Sequence, residues 1–165
     1  MNGLIIRPCR VTDAPELAEL YHRAVREGAA AHYDAAQRAA WSPAPPKGEA
    51  WRRRLIEAQT VVAERAERLL GFMTLDMSTG WIDFAYVAPE AMGQGVAETL
   101  YAVLEGRARA AGLTRLETGA SLLAERFFAR RGWHVVARQT VERDGQLLAN
   151  ATMAKDLHQA SRRVA

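Results

Sequence analysis

Only one cysteine, Cys9, stands among the 165 residues, so no disulfide can close within the chain. Long apolar runs are also missing, and none approaches the roughly 18 residues that a membrane-spanning helix needs. The opening MNGLIIRPCR has an apolar run of just three residues, short of the core of a secretory signal, so a cytoplasmic location and no membrane partner are expected. Metal-ligand spacing is absent as well: His22, His32, His134 and His158 lie at no short interval from Cys9 or from one another, and no metal is expected. Charge of one sign is scarce, with a net of +3 that suits an anionic small ligand as well as nucleic acid. The run Arg52 to Arg54 and the ending SRRVA lack interleaved aromatics and read as a solvated face and a tail, so nucleic acid is not an expected partner.

What remains is ordinary globular usage, 49% hydrophobic and 25% charged, in a chain about one domain long. Residues 1–157 read as that domain and 158–165 as a basic tail. LIIR is a first strand. In VTDAPELAELYHRAVREG, Asp13 reads as an N-cap with Pro15 in the first turn and Glu16 completing a capping box, and Gly28 closes the helix. Ala29 to Ala58 reads as a short helix to about Trp41, a turn forced by Pro43, Pro45 and Pro46, and a helix through Trp51, Leu55 and Ile56. TVVAER, RLLGFMTLDM and GWIDFAYVAP are three short strands, an antiparallel meander. A helix ending at Gly112, the strand LTRLETG, the helix SLLAERFFARRG capped by Ser121, and two strands joined at Asp144-Gly145 complete the chain; Asp-Gly there favours a type I′ turn. The order is β-α-α-β-β-β-α-β-α-β-β, a mixed α/β sheet.

The stretch YVAPEAMGQGVAETLY delivers a strand to Gly93-Gln94-Gly95 and then to a helix. Glycines without a Cβ let an anion approach the backbone, and Gln94, Val96 and Ala97 would offer N–H groups at the positive end of a helix dipole. A dinucleotide fingerprint would want glycine at position 98, where Glu98 stands, and a P-loop would want Gly-Lys-Ser/Thr, which is absent.

The segment Met92, Gly93, Gln94, Gly95, Val96, Ala97 resembles the acyl-CoA loop Gln/Arg-x-x-Gly-x-Gly/Ala of the Gcn5-related N-acetyltransferase (GNAT) family. SLLAERFFARRGW is similar to that family's Asn-x-x-Ala-x-x-Leu-Tyr-x-x-x-Gly-Phe helix. The likeness runs from Leu4 to about Leu157 and is specific from Trp81 to Trp133. It implies a single-domain α/β (α+β) fold with a mostly antiparallel sheet flanked by helices. It also implies acetyl-CoA as co-substrate, transfer to a primary amine of a small molecule or peptide, and a homodimer. Met92 stands in place of Gln or Arg, Ser121 in place of Asn, and Phe128 in place of the Tyr that often protonates the departing thiolate. Those departures leave a non-catalytic acyl-CoA sensor as the alternative.

The strand before the loop is expected, from the resemblance, to splay from its neighbour, leaving backbone groups of Tyr86 and Val87 for the pantetheine arm. Ser121, Ala124, Phe127 and Phe128 are expected beside the cofactor, although Phe127 and Phe128 read equally as core. An ammonium of pKa near 10 is only about one part in a thousand neutral at pH 7, so a base helps most. Asp83, an acid within an apolar strand, is the candidate base or else a strand-edge carboxylate, with Asp76 as its rival. Tyr86 and Tyr101 are the candidate proton donors in the absence of a tyrosine at 128. Tyr33 and Trp41 either line an acceptor pocket, where cation–π contact would hold an amine, or pack helices on the sheet.

Overall fold

The computed structural model describes residues 3–158; the expected tail falls outside them apart from His158. Seven strands form one sheet in the order β1-β2-β3-β4-β5-β7-β6. They are β1 (Ile5–Pro8), β2 (Gln59–Arg65), β3 (Arg68–Asp76), β4 (Trp81–Val87), β5 (Arg115–Ser121), β6 (His134–Arg143) and β7 (Gln146–Asp156). All neighbours are antiparallel except β4 and β5. The helices are α1 (Ala14–Arg23), α2 (Ala35–Trp41), α3 (Gly48–Ile56), α4 (Val96–Ala110) and α5 (Leu122–Ala129). The segment before β2 thus carries three helices, one more than the expected element order counts, because α2 and α3 are separate elements across the proline turn. No helix among the described residues is long and apolar enough to cross a membrane.

β2 and β3 are buried along most of their length because helices cover both faces. On one face Phe72, Phe84 and Tyr86 meet Tyr21 of α1 and Trp51 of α3. Trp51 also donates its indole N–H to Ala14 O at 2.9 Å, satisfying the polar tip of a buried ring. On the other face Gly71 leaves room for Val96 and Leu100 of α4; a Cβ there would lie 3.0 Å from Val96 Cγ1.

The start of α1 differs from expectation. A 3-10 turn, Val11–Asp13, precedes it, and the Asp13 carboxylate accepts from the Arg10 N–H at 2.7 Å and from the Arg7 guanidinium at 2.8 and 2.9 Å. Glu16 accepts instead from the Leu69 N–H of β3 at 2.9 Å. A part-buried carboxylate takes the strongest donor in reach, and a guanidinium outcompetes a helix N–H. α1 then continues through one π turn, Ala24–Gly28, and a Cβ on Gly28 would lie 3.3 Å from Met92 Sδ. The Asp144-Gly145 hairpin carries positive φ at both residues, +44° and +77°, as a type I′ turn requires.

The feature that positions the site lies in β4. Thr74 pairs with Phe84 and Leu75 with Ile82, so Asp83 is an extra residue, a β-bulge. Bulges bend their strand, and β4 accordingly stays with β5 for only two pairs, Trp81 with Glu117 and Ile82 with Thr118. Beyond them two parallel strands diverge.

Candidate active site

Two cavities of about 300 Å³ each meet at this divergence. One lies against the face that carries α1 and α3, the other against the face that carries α4. Trp41, Ala85, Tyr86, Ser121, Ala124 and Phe128 line both and so form the throat between them.

The α4-side cavity is built on the glycine turn. Gly93 and Gly95 take φ of +75° and +82°, a region that residues with a Cβ rarely adopt, which is the backbone reason for glycine at each. The first helical bond of α4 runs from the Thr99 N–H to Gly95 O at 3.1 Å, and from Gly93 to Glu98 no backbone N–H finds an acceptor among the described residues. Six consecutive free donors at the positive end of a helix dipole form an anion cradle. Met92, Gly93, Gly95, Val96, Ala97 and Val87 line it, whereas Gln94 turns away and donates its side-chain amide to Glu90 O at 2.9 Å. Arg126 of α5 and Arg130 at its C-cap, one helical turn apart, line the same cavity and have no ion pair among the described residues. Their i, i+4 spacing was legible in the sequence, but the wall they face was not.

The ladder decides which β4 groups are free. Because the Ala88 N–H donates to Leu70 O at 2.8 Å, antiparallel alternation turns the N–H and C=O of Tyr86 towards Phe72. Those of Ala85 and Val87 face the gap. Ala85 therefore replaces Tyr86 beside Val87 as a source of backbone hydrogen bonds there.

In the throat, Ser121 caps α5 by accepting from the Ala124 N–H at 3.1 Å. Phe128 is core, its ring 4.7 Å from Trp133, although it lines the throat. Phe127 is half-buried under the Arg131 guanidinium, 3.9 Å from its ring centre. Burial pushes the Tyr86 hydroxyl well above the usual tyrosine range, and the neighbouring Tyr21 adds to the shift, so it stays protonated at neutral pH. Tyr101 is not in the site: it lines neither cavity and accepts from the Trp133 indole at 2.9 Å in the core.

The α1-side cavity is aromatic and polar, with Tyr21, Tyr33, Trp41, Trp81, Phe84, Tyr86 and Phe128 as its rings. Asp83 is the one carboxylate on its wall; Asp76 lies elsewhere, its carboxylate held by the Ser78 N–H and hydroxyl at 2.9 and 2.6 Å. Arg54 grips Asp83, its Nη2 donating to both oxygens at 3.0 and 2.9 Å, and stacks 4.3 Å over Phe84. Arg52, Arg53 and Arg54 are all exposed, as the expectation of a solvated run has it; Arg52 and Arg53 pair with Glu49 and Glu57, whereas Arg54 pairs across to Asp83 at the cavity. The Tyr33 ring lines the cavity, but its hydroxyl donates to Ala149 O at 2.6 Å and accepts from the Leu122 N–H at 2.9 Å. Arg143, Gln139 and Asn150 of the β6–β7 hairpin close the far wall and were not anticipated, since only strand order brings them here. No cluster of three or more metal-ligating side chains occurs among the described residues.

Residues 29–157 match the acetyltransferase (GNAT) domain, and the chain belongs to the GNAT family. A GCN5-related N-acetyltransferase (aminotransferase, class-II) from Rhodopseudomonas palustris is 34% identical, with a TM-score of 0.88 over 95% of this chain and 98% of its own. The putative acetyltransferase yncA from Salmonella typhimurium, solved with its cofactor acetyl-CoA, is 20% identical with a TM-score of 0.71, covering 97% of each chain. A phosphinothricin acetyltransferase from Sinorhizobium meliloti, in complex with acetyl-CoA, is 20% identical with a TM-score of 0.72, covering 96% of this chain and 90% of that one. Comparison with curated protein sequences finds no match.

Proposed function

We propose that the chain is an N-acetyltransferase that moves the acetyl group of acetyl-CoA to the amine of a small molecule or peptide. The observation that carries this reading is the pair of cavities on opposite sheet faces joined at one throat, the phosphate-binding donors all on one side. The residues present fit an acyl-CoA: the free N–H groups from Gly93 to Glu98 suit a pyrophosphate, and Arg126 and Arg130 supply the positive charge that Met92 does not. Val87 and Ala85 would hold the amide-bearing arm in the gap. Relatives solved with acetyl-CoA support the same cofactor.

Acetyl-CoA supplies an activated thioester. In the transfer, a nitrogen–carbon bond forms as the carbon–sulfur bond breaks, a surplus proton leaves the nitrogen, and the thiolate takes one up. Asp83, paired with Arg54 on the acceptor wall, takes the amine proton directly or through a water. The Tyr86 hydroxyl, neutral and in the throat, donates a hydrogen bond towards the sulfur in the place left apolar by Phe128. A backbone N–H of the β4 gap polarises the carbonyl. The family resemblance alone supports a homodimer.

Calorimetric titration with acetyl-CoA tests the cofactor site. Micromolar binding to the wild type and none to Gly95→Trp is expected, because a side chain at φ +82° both strains the turn and fills the cradle. Retained affinity in the variant would refute this location of the site. Acetyl-CoA binding without turnover on any amine would favour the sensor.

A further inference from the structure

The acceptor cavity has a charge imbalance that the proposed reaction leaves unused. Its wall holds Arg54, Arg143 and Asp83. Arg54 and Asp83 neutralise each other. Arg143, on β6 next to the hairpin tip, forms no ion pair or hydrogen bond among the described residues. Its side chain lines the cavity from an exposed position, so the guanidinium stands at the cavity's outer rim. One uncompensated cation in a cavity that must receive an amine would repel that amine's protonated form, unless the acceptor brings an anion of its own.

A second, independent observation lies on the same wall. Asn150 Oδ1 is shielded from solvent and has no hydrogen-bond partner among the described residues. Buried polar atoms are seldom left so, and one that faces a cavity is satisfied by what enters it. Asn150 pairs in register with Ser121 of the throat on one side and with Gln139 on the other. Its side chain thus lies on the acceptor-cavity wall between Ser121 and Gln139, and a carbonyl oxygen there accepts from N–H. Arg143 lies four positions beyond Gln139 on the same face of β6, roughly 13 Å of strand that a long side chain shortens by reaching back. One wall therefore offers an acceptor for N–H at the throat and a free guanidinium further out.

Resting on the N-acetyltransferase reading, we propose that the acceptor is a small amine carrying a carboxylate, an amino-acid-like molecule. Its nitrogen is held by Asn150 and its carboxylate by Arg143. A guanidinium pairs with a carboxylate through two parallel hydrogen bonds, which fixes orientation as well as charge. A cavity of about 300 Å³ is of the size for such a molecule.

The test uses the purified full chain with saturating acetyl-CoA and follows release of free thiol. The probes are the L-amino acids and, for phenylalanine, leucine and methionine, the amines made by removing the carboxyl group. At least one amino acid should be acetylated, and among the three matched pairs the carboxylated member should exceed its counterpart by about 100-fold in kcat/KM. Arg143→Gln should raise KM for the carboxylated acceptor at least 10-fold, raise the rate with the decarboxylated amine by relieving the charge repulsion, and leave acetyl-CoA affinity unchanged. Asn150→Leu should weaken both acceptors. Equal use of the two series, an Arg143→Gln effect that falls equally on both, or binding of acetyl-CoA with no amino acid acetylated would each overturn the acceptor class while leaving the cofactor site standing. Failure of the wild type to bind acetyl-CoA would overturn the enzyme reading, and this proposal with it.

Discussion

In the proposed reaction, Asp83 is the residue that takes the acceptor's proton. It is a charged residue in the apolar strand WIDFAYV, and the structure explains the anomaly by placing it at the bulge, outside the β3–β4 pairing. Its carboxylate is free of backbone duty and answers only to Arg54. Asp83→Asn keeps the shape and much of the hydrogen bonding but removes the proton acceptor. Turnover should fall by about 10²-fold, the low end for acid–base catalysis, while acetyl-CoA affinity stays unchanged because the residue faces the other cavity. Steady-state kinetics beside a calorimetric titration separates the two; unaltered turnover would assign the proton to water.

At the scale of elements, α5 and the β6–β7 hairpin are tied to the α2 region by one hydroxyl. Tyr33 satisfies the free N–H of Leu122 at the start of α5 and the carbonyl of Ala149 on β7, so a residue read as an acceptor contact also clamps the cavity's walls. Gln37 of α2 adds a bond to Leu147 O at 2.9 Å. Tyr33→Phe leaves a backbone donor and acceptor without their partner and should cost about 2 kcal/mol in urea unfolding. If the clamp also sets the cavity's shape, KM for the acceptor should rise in that variant with little change for acetyl-CoA.

Over the whole molecule, stability in acid depends on carboxylates that the fold has paired. Burial alone would push Asp13 and Glu105 up, but Arg7 and the Arg10 N–H hold Asp13 below its ordinary value, and Tyr101, Arg109 and Lys155 do so for Glu105. Groups with depressed values contribute stability that is fully present above the unfolded-state pKa, about 4, and is lost as pH falls through the folded-state values. The urea midpoint should be flat from pH 8 to about 5 and decline below about 4. Arg7→Met strands two part-buried carboxylates, Asp13 and Glu64, and should cost about 3 kcal/mol at pH 7. Its deficit should shrink as pH falls, because protonated carboxyls no longer miss the guanidinium.

Much of this architecture was legible along the chain. The glycine turn, the Asp-Gly hairpin, the Ser121 cap and the apolar strands are local signals, each set by φ preference or by a side chain bonding its own neighbourhood. The Asp13 cap was misread because its true partner, Arg7, competes from the adjacent strand. Arg54, Arg143 and Asn150 carried no signal, since what matters about them is whom they face. Arg54 meets Asp83 across 29 positions of sequence. By itself, the sequence determined the family, the succession of the seven strands and the glycine turn that opens α4. Only the tertiary structure decided the splay, the two cavities and the unpaired guanidinium on the acceptor side, because strand order and a one-residue bulge bring together groups that no local rule connects.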